Sequence, residues 1–163
     1  MAELWDAYDA NLQKLDGITL VRGEPVPDGM YHLVCEIAVR HADGKYLLML
    51  RDARKHRGGM WELTAGGSAL QGETPLQCAR RELLEETGII AENLSEIGRI
   101  VHEAHRSIYV EYLCVTSCAP DAVCLQEGET AGFRWVEREA LMQIPEDTLA
   151  AGRTLKLLRE SGR

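Results

Sequence analysis

Positive charge is scarce in this sequence: 18 Lys and Arg stand against 26 Asp and Glu, a formal charge of −8. Nucleic-acid polymers and anionic membranes are held by an excess of Lys and Arg, so neither is an expected partner. Long apolar runs are lacking too. The longest, leaving Tyr46 aside, run to four residues, as in Leu47-Leu48-Met49-Leu50, far short of the roughly 20 residues of a membrane-spanning helix. The opening Met1-Ala2-Glu3-Leu4-Trp5-Asp6 has no basic stretch ahead of an apolar one, so a secretory signal is not expected and a cytoplasmic location is. The five cysteines, Cys35, Cys78, Cys114, Cys118 and Cys124, include no CxxC pair and no closely spaced His that would complete a zinc site. Reduced, buried thiols are expected. Linkers, repeats and low-complexity tracts are absent, and 163 residues of which 45% are apolar suit one globular domain over 1–163.

What is present begins with strands. Residues 33–39 and 46–50 flank His41-Ala42-Asp43-Gly44, whose Asp-Gly favours a hairpin turn. Further strands are expected over 97–101, 107–115 and 133–136, and helices over 75–87 and roughly 148–160. Many strands around few helices point to an α+β (mixed α/β) layer architecture rather than repeated βαβ units.

The first helix has well-marked ends. Thr74 can cap it, Pro75 suits its first position, Gln77 completes a capping box and Gly88 stops it. At about 100° per residue Leu76, Ala79, Leu83 and Thr87 form one face. Glu82, Glu85 and Glu86 share an arc opposite, where three repelling carboxylates are expected to converge on a hard divalent cation such as Mg2+ or Mn2+.

Around that helix runs Gly67-x5-Glu73-x7-Arg81-Glu82-Leu83-x-Glu85-Glu86-x-Gly88-Ile89. Every required position of a Nudix box is filled, and seven fixed residue types match by chance on the order of once in 10^8 starts. Residues 67–89 thus resemble the Nudix hydrolase family, as do Trp61-Glu62-Leu63-Thr64-Ala65-Gly66 before the box and Phe133-Arg134-Trp135-Val136 with Glu139 after it. The resemblance implies an α/β/α sandwich with a mixed central sheet and a loop-helix-loop box. It also implies metal ligation by Glu82, Glu85, Glu86 and the Gly67 carbonyl, with Glu73 and Arg81 as an orienting pair. Dimers are common in the resembled family.

The implied reaction is hydrolysis of a diphosphate linkage in a nucleoside diphosphate derivative or related organic diphosphate. Glu82, Glu85 and Glu129, with Glu127 behind them, are candidates for the base that takes a proton from water. Arg51, Arg54, Lys55 and Arg57, opposed by Asp52 alone, form a local +3 stretch suited to a small phosphorylated substrate, with His56 beside them and Trp61 able to stack on a ring. Other readings stay open. The approach to the box is similar to that of ADP-ribose pyrophosphatases, but Thr64 stands where they commonly carry proline. Leu4-Trp5-Asp6-Ala7-Tyr8-Asp9 and Tyr31-His32-Leu33-Val34 resemble the subgroup containing isopentenyl-diphosphate isomerase, in which reading Cys35 is of interest. A non-catalytic nucleotide-binding module is the remaining alternative.

Overall fold

The computed structural model describes residues 1–163. An amino-terminal hairpin pairs β1 (Leu4–Tyr8) with β2 (Lys14–Val21). The main sheet follows, from β3 (His32–His41), β4 (Tyr46–Arg51), β5 (Trp61–Glu62), β6 (Thr64–Ser68), β7 (Asn93–His102), β8 (Ser107–Thr116) and β9 (Thr130–Val136). Helices α1 (Pro75–Thr87), α2 (Arg138–Met142) and α3 (Arg153–Ser161) complete the mixed α+β fold expected from the sequence. No helix is long and apolar enough to cross a membrane.

The sheet forks. β3 pairs in parallel with β8 along its whole length and antiparallel with β6, while β7 extends the arm beyond β8. β4 meets β3 at only one register pair, Arg40↔Tyr46, beside the tight turn at Gly44, and then pairs with β5 and β9. The gap between the two arms becomes the functional cleft.

Strand periodicity divides the core between two faces. Leu33, Cys35, Ile37 and Val39 of β3, Leu47 and Met49 of β4, and Ile108, Val110 and Cys114 of β8 pack with Cys78, Ala79 and Leu83 of α1. Ala38, Tyr46, Leu48 and Leu113 face the other way, onto Leu141 of α2 and Leu155 and Leu158 of α3. Glu36 and Glu111 share this second face, where the pattern calls for apolar residues.

Two helix expectations need correction. The segment near 148–160 is a 3-10 turn over Glu146–Thr148 and, after a break, α3. The break arises because Leu149, 2% exposed, adopts extended backbone and forms a bridge to Trp61, whose carbonyl accepts from Ala150 N at 2.8 Å. On α1, Leu76 is exposed at 38%, and Cys78 and Glu86 join Ala79, Leu83 and Thr87 on the buried side. The thiols also divide: Cys35, Cys78 and Cys114 are buried, Cys118 is half-buried, and Cys124 lies exposed in the loop whose backbone N–H donates to Thr87 O.

The ends of α1 match their sequence signals. Thr74 and Gln77 form the reciprocal capping box, and Gly88 closes the helix at φ 70°. Thr74→Ala should lower unfolding free energy by about 1 kcal/mol and Leu83→Ala by about 2–5 kcal/mol in urea titrations. Unchanged midpoints would contradict this account of how α1 is anchored.

Candidate active site

The site is assembled where β6 passes beneath α1. A Cβ on Gly66 would strike the Cys35 carbonyl, and one on Gly67 would lie 2.6 Å from Glu82 Oε1. Glycine at 66 lets β6 lie against β3, and glycine at 67 lets backbone, rather than a side chain, face Glu82.

Arg81 organises them. Its Nε and Nη2 donate to the two oxygens of Glu73 at 2.6 and 2.8 Å, while Nη1 reaches Glu82 at 2.6 Å and Glu85 at 3.3 Å. Nη2 also donates to the Ser68 carbonyl at 3.2 Å, and Glu73 accepts from Leu70 N at 2.8 Å, so helix and loop are locked together. The Arg81 fork holds the Glu73 carboxyl below its ordinary range. Burial raises Glu82 despite the same guanidinium.

The three box carboxylates line one cavity without forming a compact cluster. Arg81 draws Glu82 and Glu85 aside, Glu85 stays half exposed, and Glu86 is buried at 7% exposure. Glu86 accepts only a 3.3 Å bond, from Gly66 N. Burial, with Glu62 and Glu82 alongside, pushes its carboxyl up to about 8. A buried acid with one long donor, near a second acid and a glycine-lined cradle, is a donor set that fits a hard divalent cation.

Two adjoining cavities meet at Lys55, Gly66 and Glu86. One, of about 340 Å3, is lined by Gly67, Arg81, Glu82, Glu85 and Glu129. The other, of about 280 Å3, lies in the fork of the sheet between Arg51, Glu62, Glu36, Tyr109 and Arg153.

The structure separates the residues of the basic stretch. Lys55 faces both cavities and forms an ion pair with Glu129, while Arg51 lines the fork and donates to Glu62 at 2.6 Å. His56 and Arg57 also border the fork. Arg54 does not enter either cavity: its guanidinium turns back onto Asp52, with bonds of 2.8 Å, and holds that carboxyl well below the carboxylate range. Trp61 is outside both as well, packed against the α3-side core beneath the Arg134 guanidinium, 4.2 Å from the ring centre. Glu127 is exposed and lines neither.

Sequence reasoning missed the back wall of the fork. Glu36 and Glu111 are register partners on β3 and β8. Arg153 donates to Glu36 at 2.6 Å, and its guanidinium carbon lies 3.7 Å from the Tyr109 ring centre. Glu111, fully buried, is bonded to Thr154, and its Oε1 meets the Arg153 Nε at 3.7 Å, within ion-pair range but without a hydrogen bond to either atom. Burial and neighbouring Glu36 raise the Glu111 carboxyl above its ordinary range. The available signal was a glutamate interrupting each of two apolar strand runs.

Comparison with known proteins identifies the family and supports the fold. The NUDIX domain model matches residues 30–158. The uncharacterized Nudix hydrolase lmo0368 of Listeria monocytogenes is 31% identical over 140 residues, covering 85% of this chain and 82% of that protein. Among solved structures, DR0079 of Deinococcus radiodurans superposes with a TM-score of 0.76 at 18% identity, covering 99% of this chain and all of that one. The MutT protein of Methanosarcina mazei gives 0.63 at 25% identity, covering 82% and 96%. With a complete box, the fork fold and a domain match over most of its length, this chain belongs to the Nudix family, as a Nudix pyrophosphohydrolase.

Proposed function

We propose that this enzyme hydrolyses a diphosphate linkage in a nucleoside diphosphate derivative or related organic diphosphate, using Mg2+ or Mn2+. The observation that carries this reading is the meeting of an acidic cavity, containing the box glutamates, with a fork bordered by Arg51, Lys55, Arg57 and Arg153. One side suits the cation and the phosphates it accompanies. The other suits the organic part, with Tyr109, Ala150 and Ala151 as its apolar surface among polar groups.

Glu82, Glu85, Glu86 and the Gly67 carbonyl would hold the cation. When bound it supplies the positive charge that screens phosphate oxygens and makes water more acidic. Arg81 fixes the helix carboxylates against the loop, and Lys55 neutralises phosphate where the cavities join. Proton uptake from the attacking water is assigned to Glu85. Glu82 and Glu129 each form a close ion pair, with Arg81 and Lys55, whereas Glu85 is half exposed and meets Arg81 at the longer distance of 3.3 Å. Water then adds to phosphorus as the bridging oxygen departs with the second phosphate.

Nothing in the fork favours isomerisation of an isoprenoid diphosphate. Its few apolar groups form no wall for a hydrocarbon chain, and Cys35 is fully buried, donating to Pro75 O at 3.2 Å away from both cavities.

Chelator should abolish turnover of a nucleotide-diphosphate panel, and added Mg2+ or Mn2+ should restore it, with products read by mass spectrometry. Persistent activity in chelator would overturn the metal assignment. Glu86→Gln should lower kcat by at least about a hundredfold with the fold intact, because several kcal/mol of charge stabilisation depend on the cation. Equal rates at saturating metal would remove Glu86 from that role. Lys55→Ala should raise KM about tenfold while Arg54→Ala leaves it within about twofold, the loss of a charged hydrogen bond against none. Equal effects would contradict the inward and outward placement of these two neighbours.

A further inference from the structure

The amino-terminal hairpin lies outside the matched domain, residues 30–158, yet it forms part of the wall of the acidic cavity. Its docking is specific. Trp5 lies flat on His32, with ring centres 4.2 Å apart at 12°, and the His32 ring is itself in contact with Ser107 Oγ at 2.7 Å. On the box loop, Gln71 N donates to Leu4 O at 2.9 Å, Gln71 Nε2 to Thr19 at 2.8 Å, and Gly72 N to Asp6 at 2.8 Å. From this platform the Trp5 indole donates to Glu3 Oε1 at 2.6 Å, and Glu3 Oε2 accepts from Arg22 Nη1 at 3.0 Å. Glu3 and Arg22 both face the cavity that contains Glu82, Glu85 and Glu86.

Arg22 differs from the other cations there. Arg81 is committed to Glu73, Glu82 and Glu85, and Lys55 to Glu129. Arg22 uses one of its five side-chain donors on Glu3 and leaves 66% of its side chain exposed. Its cavity offers a single apolar side chain, Leu70, whereas the fork across Gly66 and Glu86 offers the Tyr109 ring. A substrate lying across both therefore places its organic part in the fork and its phosphate end toward Arg22. A terminal phosphate has three free oxygens and about two charges near neutral pH, whereas a phosphate esterified at both ends has two free oxygens and one charge. A guanidinium fork favours the former.

We propose that Arg22, positioned by Glu3 and Trp5, is a specificity-determining residue that grips the terminal phosphate of the substrate. Nucleoside di- and triphosphates are then preferred over diphosphates esterified at both ends. The inference rests on the reading of this site as a diphosphate hydrolase.

The test compares the full-length chain with its Arg22→Ala and Arg22→Lys variants, with melting temperature as a check on folding. ADP represents a free terminal phosphate and ADP-ribose a doubly esterified one. With Mg2+ or Mn2+, Arg22→Ala should raise KM for ADP about tenfold, change kcat less than about twofold and leave ADP-ribose kinetics within about twofold. Arg22→Lys should recover part of the loss. Binding of the non-hydrolysable α,β-methylene-ADP, followed by calorimetry, should weaken about tenfold in Arg22→Ala. Unchanged binding of the analogue, or equal losses for ADP and ADP-ribose, would overturn the proposal. Binding that depends on Arg22 in a chain that hydrolyses no member of the nucleotide-diphosphate panel would refute the hydrolase reading and leave the phosphate contact standing.

Discussion

The guanidinium of Arg81 is the interaction on which the site depends. It holds Glu73 with two bonds, reaches Glu82 and Glu85 on its own helix, and bonds the Ser68 carbonyl at the end of β6. Carboxylates spaced three and four apart on a helix repel one another, and burial adds to that cost. One delocalised cation with five donors relieves the repulsion and fixes the relative position of helix, loop and strand. Glu86, beyond its reach, is raised to about 8 by burial and acidic neighbours. The structure therefore contains a set of acids bridged by one cation and a further acid, Glu86, with no cation bonded to it.

The forked sheet gives that chemistry a place. Because β3 and β4 share one register pair and then diverge, polar side chains at strand positions line a cleft instead of breaking a core. Glu36, Glu111, Arg153 and Tyr109 come from three elements far apart in sequence, and their ionic and ring contacts form the wall opposite the box. The amino-terminal hairpin closes the other side by bonding directly to the box loop through Gln71 and Gly72. Binding surface thus comes from both arms and from chain outside the matched domain.

Much of this was legible in the sequence where the determining physics is local. The capping box at Thr74 and Gln77, the left-handed Gly88, the Asp-Gly turn and the alternation along β3 and β8 each depend on residues within a few positions of one another. The box spacing likewise led to Arg81 and its carboxylates. What was not legible depends on distant contacts. Leu149 leaves helical conformation because Trp61 bridges to it, and Glu86 is buried because Gly66 of β6 passes beside it. Arg54 and Lys55 are adjacent and equally basic. Only the fold shows that one closes on Asp52 and the other pairs with Glu129 at the junction of two cavities.

An acidic chain can act on an acidic substrate if the needed cation comes from solution and the protein supplies the carboxylates that hold it. Hydrolysis in water enriched in 18O, with Mg2+ and a nucleoside diphosphate, tests this most directly. Attack of water on phosphorus predicts two phosphate-containing products, one carrying a single 18O on phosphorus, and none when metal is withheld. Metal-independent turnover, or product lacking 18O on phosphorus, would contradict it.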